Sequence, residues 1–309
     1  MGLSIVLEGH DEVDAPGMVA DCVGNTDLFH LHSLDAELPR GVQVFAKAEH
    51  LNPSGSVKDR AALAMIVEGE RSGKLRPGMT ILDATSGNTG IAYAILGGAE
   101  RGYRVTVCLP KNASEQRKKI LRYYEVEIIE TDPMLSTDGA QRVARELYAS
   151  NPKKYFYPDQ YNNDANWRAH YLTTANEIWE QTGGNVTHFV TGLGTSGTFV
   201  GVVRRLRELN PSLQAIAVQP ESPLHGLEGL KHMATAVRPG IFDPSLVDAT
   251  LEVATEDALS MTSRLAQDEN LVVGPSSGAN VFAARRVALS LDQPAVVVTI
   301  LCDRGERYW

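Results

Sequence analysis

The chain has 309 residues, a formal net charge of −9, 43% hydrophobic and 22% charged residues, enough apolar content to bury a sizeable core. Its acidic balance excludes a general nucleic-acid binder, which needs a basic stripe to neutralise phosphates, but leaves room for a local pocket that holds a small anion. No stretch reaches the roughly 18 apolar residues of a membrane span, and residues 1–18 lack the basic-then-apolar layout of a signal peptide.

Cys22, Cys108 and Cys302 lie far apart with no metal-ligand spacing, so a reduced cytoplasmic protein with small apolar cysteines and no metal is expected. Along the chain, short β-branched runs alternate with helical patterns. Strands are expected at 42–48, 80–84, 104–109, 126–130, 187–191, 213–218 and 295–301. Helices are expected at 56–71, 89–101, 114–124, 137–150, 166–182, 197–209, 256–268 and 278–289. This alternation predicts an α/β fold with parallel-rich sheets flanked by helices on both faces. It falls into two blocks, 51–160 and 161–309, and the Asn-, Asp- and Pro-rich segment 157–166 is the expected crossing between lobes. Ligands of open α/β sheets bind at the carboxyl ends of strands, where the loops discussed next all fall.

Asn-Pro-Ser-Gly-Ser-Val-Lys-Asp-Arg at 52–60 places Lys58 in a first helical turn, with Ser54 and Ser56 as candidate caps. Cations are disfavoured there by a few tenths to about 1 kcal/mol. The same field favours a neutral amine, the form that attacks carbonyl carbon. A solvated surface lysine is the competing reading.

Two turns are suited to anions. Gly192-Leu-Gly-Thr-Ser-Gly-Thr198 follows a strand and opens a helix, so its N–H groups and hydroxyls can cradle a phosphate. Its glycines also fit a dinucleotide loop, with Glu221 as a loose ribose-binding acid, or tight helix–sheet packing. Thr85-Ser-Gly-Asn-Thr-Gly90 can hold a second anion such as a carboxylate, with Ser86, Asn88 and Thr89 as donors, or is an ordinary turn. A third turn, 274–278, offers Ser276 as a helix cap or as a contact to a ligand ring.

These residues carry a resemblance. Asn-Pro-Ser-Gly-Ser-Val-Lys-Asp-Arg and its continuation at 52–68, TSGNTGIA at 85–92, HYLTTANEIW at 170–179, THFVTGLGTSGT at 187–198 and CDRGERY at 302–308 resemble the fold-type-II pyridoxal-phosphate enzymes, the tryptophan synthase β-like family, and within it the B-type cysteine synthases (O-acetylserine sulfhydrylases). The resemblance spans residues 24–309 and implies a two-lobed fold. Residues 51–160 would form a smaller mobile domain that closes over the substrate, residues 20–50 and 161–309 a larger one, and residues 1–19 an extension. It implies Lys58 as the Schiff-base lysine and α-proton base, and Asn88 on the cofactor's ring oxygen. Gly194, Thr195, Ser196, Gly197 and Thr198 would hold the phosphate of pyridoxal 5'-phosphate, and Ser276 would face the pyridine nitrogen. Thr85, Ser86, Asn88, Thr89 and Gln160 would bind the amino-acid carboxylate.

The implied reaction is β-replacement on O-acetyl-L-serine by sulfide or thiosulfate, giving L-cysteine or S-sulfocysteine and acetate. Glu221 after Pro220 would repel the phosphate of O-phosphoserine, and Lys231-His232 would suit an anionic donor unless they are a solvated pair. A homodimer and a sulfur-carrier protein are implied partners. Rival readings are cystathionine β-synthase, serine dehydratase, an O-phosphoserine sulfhydrylase fed by a thiocarboxylated carrier, a cofactor-bound scaffold without turnover, and a dinucleotide-binding protein. The chain departs from the family pattern at Asp27 (usually proline), at Ala175-Asn176 (usually Gly-Pro) and at Glu125 (usually glycine), where local turns and not the chemistry should change.

Overall fold

The computed structural model describes residues 19–308; the expected extension at 1–19 lies, except for Val19, outside them. The strands are β1 (Leu28–His30), β2 (Val42–Lys47), β3 (Thr80–Ala84), β4 (Arg104–Pro110), β5 (Glu127–Thr131), β6 (Tyr155–Phe156), β7 (His188–Gly192), β8 (Gln214–Pro220), β9 (Ala249–Val253) and β10 (Ala295–Ile300). The helices are α1 (Lys58–Arg71), α2 (Asn88–Tyr93), α3 (Glu115–Tyr123), α4 (Ser136–Ser150), α5 (Asp164–Leu172), α6 (Thr174–Gln181), α7 (Gly197–Leu209), α8 (Thr255–Asp268) and α9 (Pro275–Leu289).

The chain divides into two compact units. One comprises residues 19–24, Asn52–Ser54 and Lys58–Gln160; the other Asn25–Leu51, Gly55–Val57 and 161–308. The first carries an all-parallel sheet in the order β5-β4-β3-β6. The second carries the order β1-β2-β10-β7-β8-β9, parallel except for β1 against β2.

Strand side chains alternate between faces, and in the second unit both faces are covered. Val44, Val190, Ile216, Val218 and Val297 pack with Ala258, Met261 and Leu265 of α8 and with Ala279 and Ala283 of α9. Their strand neighbours Phe189, Ala215, Ala217 and Val298 pack with Ile178 of α6 and with Phe199, Val203 and Leu206 of α7. Covering both faces is what makes these strands read as unbroken apolar runs. In the first unit, Leu82 and Ala84 of β3 pack with Ala140 and Ala144 of α4.

Several elements differ from expectation for identifiable reasons. The helix expected from residue 56 begins at Lys58, because Ser56 is held in a bridge with Asp303. The helix expected at 166–182 is two, broken at Thr173 (φ −120°, ψ −75°), whose hydroxyl donates to the Ala169 carbonyl at 2.6 Å; such back-bonding competes with the helical ladder. The segment 89–101 is α2 followed by a π-helical stretch, Ala94–Ala99. The last helix begins at Pro275, so Ser276 lies inside its first turn and is not its cap; the cap position is Gly274.

Candidate active site

Lys58 is the first residue of α1 and is half-buried. The next residue, Asp59, is fully buried and reaches back to the preceding turn. Its carboxylate accepts the Ser54 N–H at 2.6 Å and the Ser54 hydroxyl. A carboxylate is favourable at that end of a helix, which suits the burial of Asp59 beside Lys58.

The turn 85–87 leaves β3 and enters α2. Thr85 Oγ1 accepts the Gly87 N–H at 2.9 Å. Gly87 has φ 132°, and a Cβ there would lie 2.4 Å from Arg117 Cδ, so both backbone and space demand glycine. Arg117 is fully buried and donates to the Ser86 carbonyl at 3.2 Å, which puts a guanidinium behind the turn. Ser86 and Asn88 are half-buried; Thr89 is buried and donates its hydroxyl to Gln160 Oε1 at 2.8 Å. Gln160 in turn donates to the Ala84 carbonyl at 2.6 Å. Gln160 is therefore brought to the turn, as a brace across its two ends.

Beneath this turn is a group that pattern reading missed. Asp83, fully buried on β3, accepts the Ala84 N–H at 2.8 Å, the Tyr93 hydroxyl at 2.9 Å and the Gln160 N–H at 3.3 Å. Burial pushes its carboxyl up to about 7, outweighing the three donors, and Asp159 adds to the rise. Burial and the Asp83 charge together push the Tyr93 phenol well up, and the same two causes raise Tyr157 and lift the Cys108 thiol to about 12. The signal available was one acid inside the apolar run Thr-Ile-Leu-Asp-Ala.

In the second unit, β7 delivers the turn 193–196 and α7 follows. A Cβ at Gly194 would meet the Gly229 carbonyl oxygen at 2.2 Å, and one at Gly197 would meet Asn166 Oδ1 at 2.0 Å. Tight packing therefore accounts for these glycines, and the turn's N–H groups carry the anion argument. Thr195 Oγ1 accepts from Asn166 Nδ2 at 3.0 Å, and Thr198 Oγ1 shares a 3.3 Å hydrogen bond with the buried His170, whose other ring nitrogen pairs with Thr174 at 2.9 Å. Ser196 takes the left-handed conformation (φ 69°) at the start of α7. Among the described residues, the N–H groups of Gly194, Thr195 and Ser196 have no protein acceptor, although Thr195 and Ser196 are buried. Backbone donors rarely go unpaired at that depth, and no acidic side chain lies in 192–198, so the donor set fits a phosphate.

Ser276 is buried in the first turn of α9. Its surroundings are ordered by Asp303, which accepts the Gly274 N–H on its main-chain carbonyl at 3.0 Å and the Tyr308 hydroxyl on its carboxylate at 2.7 Å. Lys231 is buried, its amine 5.1 Å from the centre of the Tyr161 ring, so the lysine of the expected solvated pair is not solvated, while the half-buried His232 shares a 2.9 Å hydrogen bond with Thr235. At the surface, His30 and His32 both hydrogen-bond the Asp35 carboxylate, at 2.9 and 3.2 Å, a cluster that linear spacing did not suggest.

Residues 19–303 match the family model described as "Pyridoxal-phosphate dependent enzyme". The chain is 46% identical over 309 residues to a cysteine synthase of Aquifex aeolicus (strain VF5), covering 98% of this chain and 94% of the relative. It is 43% identical to cysteine synthase B of Escherichia coli (strain K12), covering 93% and 92% respectively. Among solved structures it is similar to the O-acetylserine dependent cystathionine beta-synthase from Helicobacter pylori, with a TM-score of 0.88 and 34% identity over 94% of this chain and 96% of that one. Coverage at both ends of each comparison removes the dinucleotide-binding reading of the glycine-rich turn, and the cofactor is pyridoxal phosphate. On these grounds the chain belongs to the family of pyridoxal-phosphate dependent enzymes.

Proposed function

We propose that the protein makes L-cysteine by β-replacement: O-acetyl-L-serine plus hydrogen sulfide gives L-cysteine plus acetate. The observation that carries this reading is near-full-length identity of 46% and 43% to cysteine synthases in a chain that keeps Lys58 as the leading residue of α1.

Lys58 would hold the cofactor through its amine. Gly194, Thr195, Ser196, Gly197 and Thr198 would hold the phosphate, for which the N–H groups of Gly194, Thr195 and Ser196 are the available donors. Ser276 would face the pyridine nitrogen and Asn88 the ring oxygen. Bound pyridoxal phosphate supplies an electron sink for the Cα–H bond that must break. The free Lys58 amine takes the α-proton, the acetyl oxygen leaves Cβ with the bonding pair, sulfide adds to Cβ, and Lys58 returns the proton to Cα. Thr85, Ser86, Asn88 and Thr89 would orient the substrate carboxylate with Gln160 bracing them. A serine at 276, which cannot hold a charge against the ring nitrogen, moderates the sink and suits elimination of a β-leaving group over other outcomes at Cα.

Glu221, which follows Pro220, disfavours a doubly charged phosphoserine and favours the acetyl ester. The basic pair Lys231-His232 would accept an anionic donor such as thiosulfate, giving S-sulfocysteine. A homodimer in the cytoplasm, with a sulfur-carrier protein as an occasional donor, completes the reading. A second reading, β-replacement by homocysteine, has the support of the Helicobacter pylori neighbour. Holoenzyme supplied with O-acetylserine and, in turn, sulfide, thiosulfate and homocysteine separates them by product. Cysteine and acetate in equal amounts is the expected outcome, and cystathionine as the dominant product would replace it with the second reading.

A further inference from the structure

Asp83 has no part in the chemistry above, yet it is a fully buried carboxylate on the last turn of strand before the substrate-binding turn. Burying an acid is costly unless the surroundings use it. Its three donors are informative. Ala84 N–H belongs to the residue that enters the turn. Tyr93 lies one helical turn beyond Thr89 on α2, so its hydroxyl ties that helix to β3. Gln160 N–H comes from 77 residues away, right after Asp159, which takes the strained left-handed conformation (φ 50°). The Gln160 side chain then spans the turn, holding the Ala84 carbonyl with its Nε2 and the Thr89 hydroxyl with its Oε1. Every link lies within the first unit.

We propose that Asp83 is a positioning residue for the amino-acid substrate: by anchoring the Gln160 main chain and the Tyr93 hydroxyl, it sets the Gln160 amide that fixes both ends of the 85–89 turn. Substrate affinity then depends on a side chain that never touches substrate. This assignment rests on the proposed function, in which that turn binds the carboxylate. It predicts a particular signature. The cofactor's phosphate contacts belong to residues of the other unit, so loss of Asp83 should weaken substrate binding while sparing cofactor retention and the turnover of bound substrate.

The test is steady-state kinetics on holoenzyme for wild type, Asp83→Asn, Gln160→Ala and the double variant. Each single variant should raise KM for O-acetylserine about tenfold and leave kcat within about threefold, with cofactor content and absorbance unchanged. Because both act through one path, the double variant should be no worse than the worse single one, where independent effects would multiply to about a hundredfold. An unchanged KM in the single variants, full multiplicativity in the double, or a loss of kcat and cofactor in parallel with no change in KM would each overturn the assignment. Should Asp83→Asn fail to fold, Tyr93→Phe removes one donor and should raise KM about threefold; no rise overturns it equally. A wild type that does not convert O-acetylserine at all refutes the proposed function and takes this assignment with it, whereas an active wild type with unaffected variants refutes the assignment alone.

Discussion

At the residue scale, the protein separates two ionisable groups by environment. Lys58 sits half-buried as the first residue of α1, and the proposed function gives its amine the cofactor link and the α-proton. Lys58→Ala should lower turnover by at least about a thousandfold, in keeping with the loss of both the cofactor link and the base. Borohydride should fix the cofactor onto wild type and not onto the variant; retained turnover would remove Lys58 from its role. The Asp83 carboxyl is raised from 3.8 to about 7 by burial, so the native state keeps a proton that the unfolded chain releases near pH 4. Stability therefore falls as pH rises from about 4 to 7, by up to about 1.4 kcal/mol per pH unit. Asp83→Asn carries no such penalty, so urea unfolding should show the variant gaining on wild type across that window. A stability difference that stays flat from pH 4.5 to 7.5 would show that Asp83 ionises normally.

At the scale of elements, the end of α3 shows a departure from the family pattern with a measurable consequence. Val126 N–H bonds the Leu121 carbonyl and Glu125 N–H the Arg122 carbonyl, both at 3.0 Å, the paired bonds of a Schellman cap. That cap places Glu125 at φ 55°, a conformation costing a side chain about 1–2 kcal/mol. Glycine there loses about 0.5–1 kcal/mol of that gain to its freer unfolded state. Glu125→Gly should therefore raise stability by about 0.5–1 kcal/mol and leave kinetics alone; a destabilised variant would contradict the strain. The turn before α7 predicts the reverse. A methyl at Gly194 would stand 2.2 Å from a backbone oxygen, so Gly194→Ala must displace the main chain of the turn proposed to hold the phosphate. Cofactor affinity should drop at least about tenfold, since a lost hydrogen bond to a charged group costs about 1.5–3 kcal/mol, read by equilibrium dialysis.

Element types were legible in the sequence wherever periodicity ran long, as in α4, α7 and α8. The elements it did not disclose are short or depend on distant partners. β6 has two residues and is a strand only because Thr80 and Ile81 pair with it. β1 exists by pairing with β2, and β9 by pairing with β8. The break between α5 and α6 turns on one threonine hydroxyl choosing a carbonyl four residues back, a choice composition does not register.

At the scale of the whole molecule, two units each carry a parallel-rich sheet and their own apolar core. Among the described residues no helix is long and apolar enough to cross a membrane. A ligand that binds only the folded chain stabilises it by mass action, by about 2.7 kcal/mol at a hundred times its dissociation constant. Stripping pyridoxal phosphate and restoring it should therefore move the melting temperature up by several degrees, together with the return of visible absorbance. A melting temperature indifferent to the cofactor would show that the turn 192–198 does not hold it.

By itself the sequence determined the α/β class and the family, and it singled out Lys58 and the turns 85–90 and 192–198 as candidates. Each of those is written in contiguous residues: a strand, a turn rich in glycine and hydroxyls, and a helix start. Tertiary structure alone decided what stands behind those turns. Asp83, Tyr93 and Gln160 meet across 77 residues of chain, and Asn166 comes under the turn 192–198 from 29 residues before Thr195. The physical reason is that a buried hydrogen bond is satisfied by whichever partner folding brings within reach, and local periodicity carries no record of that partner.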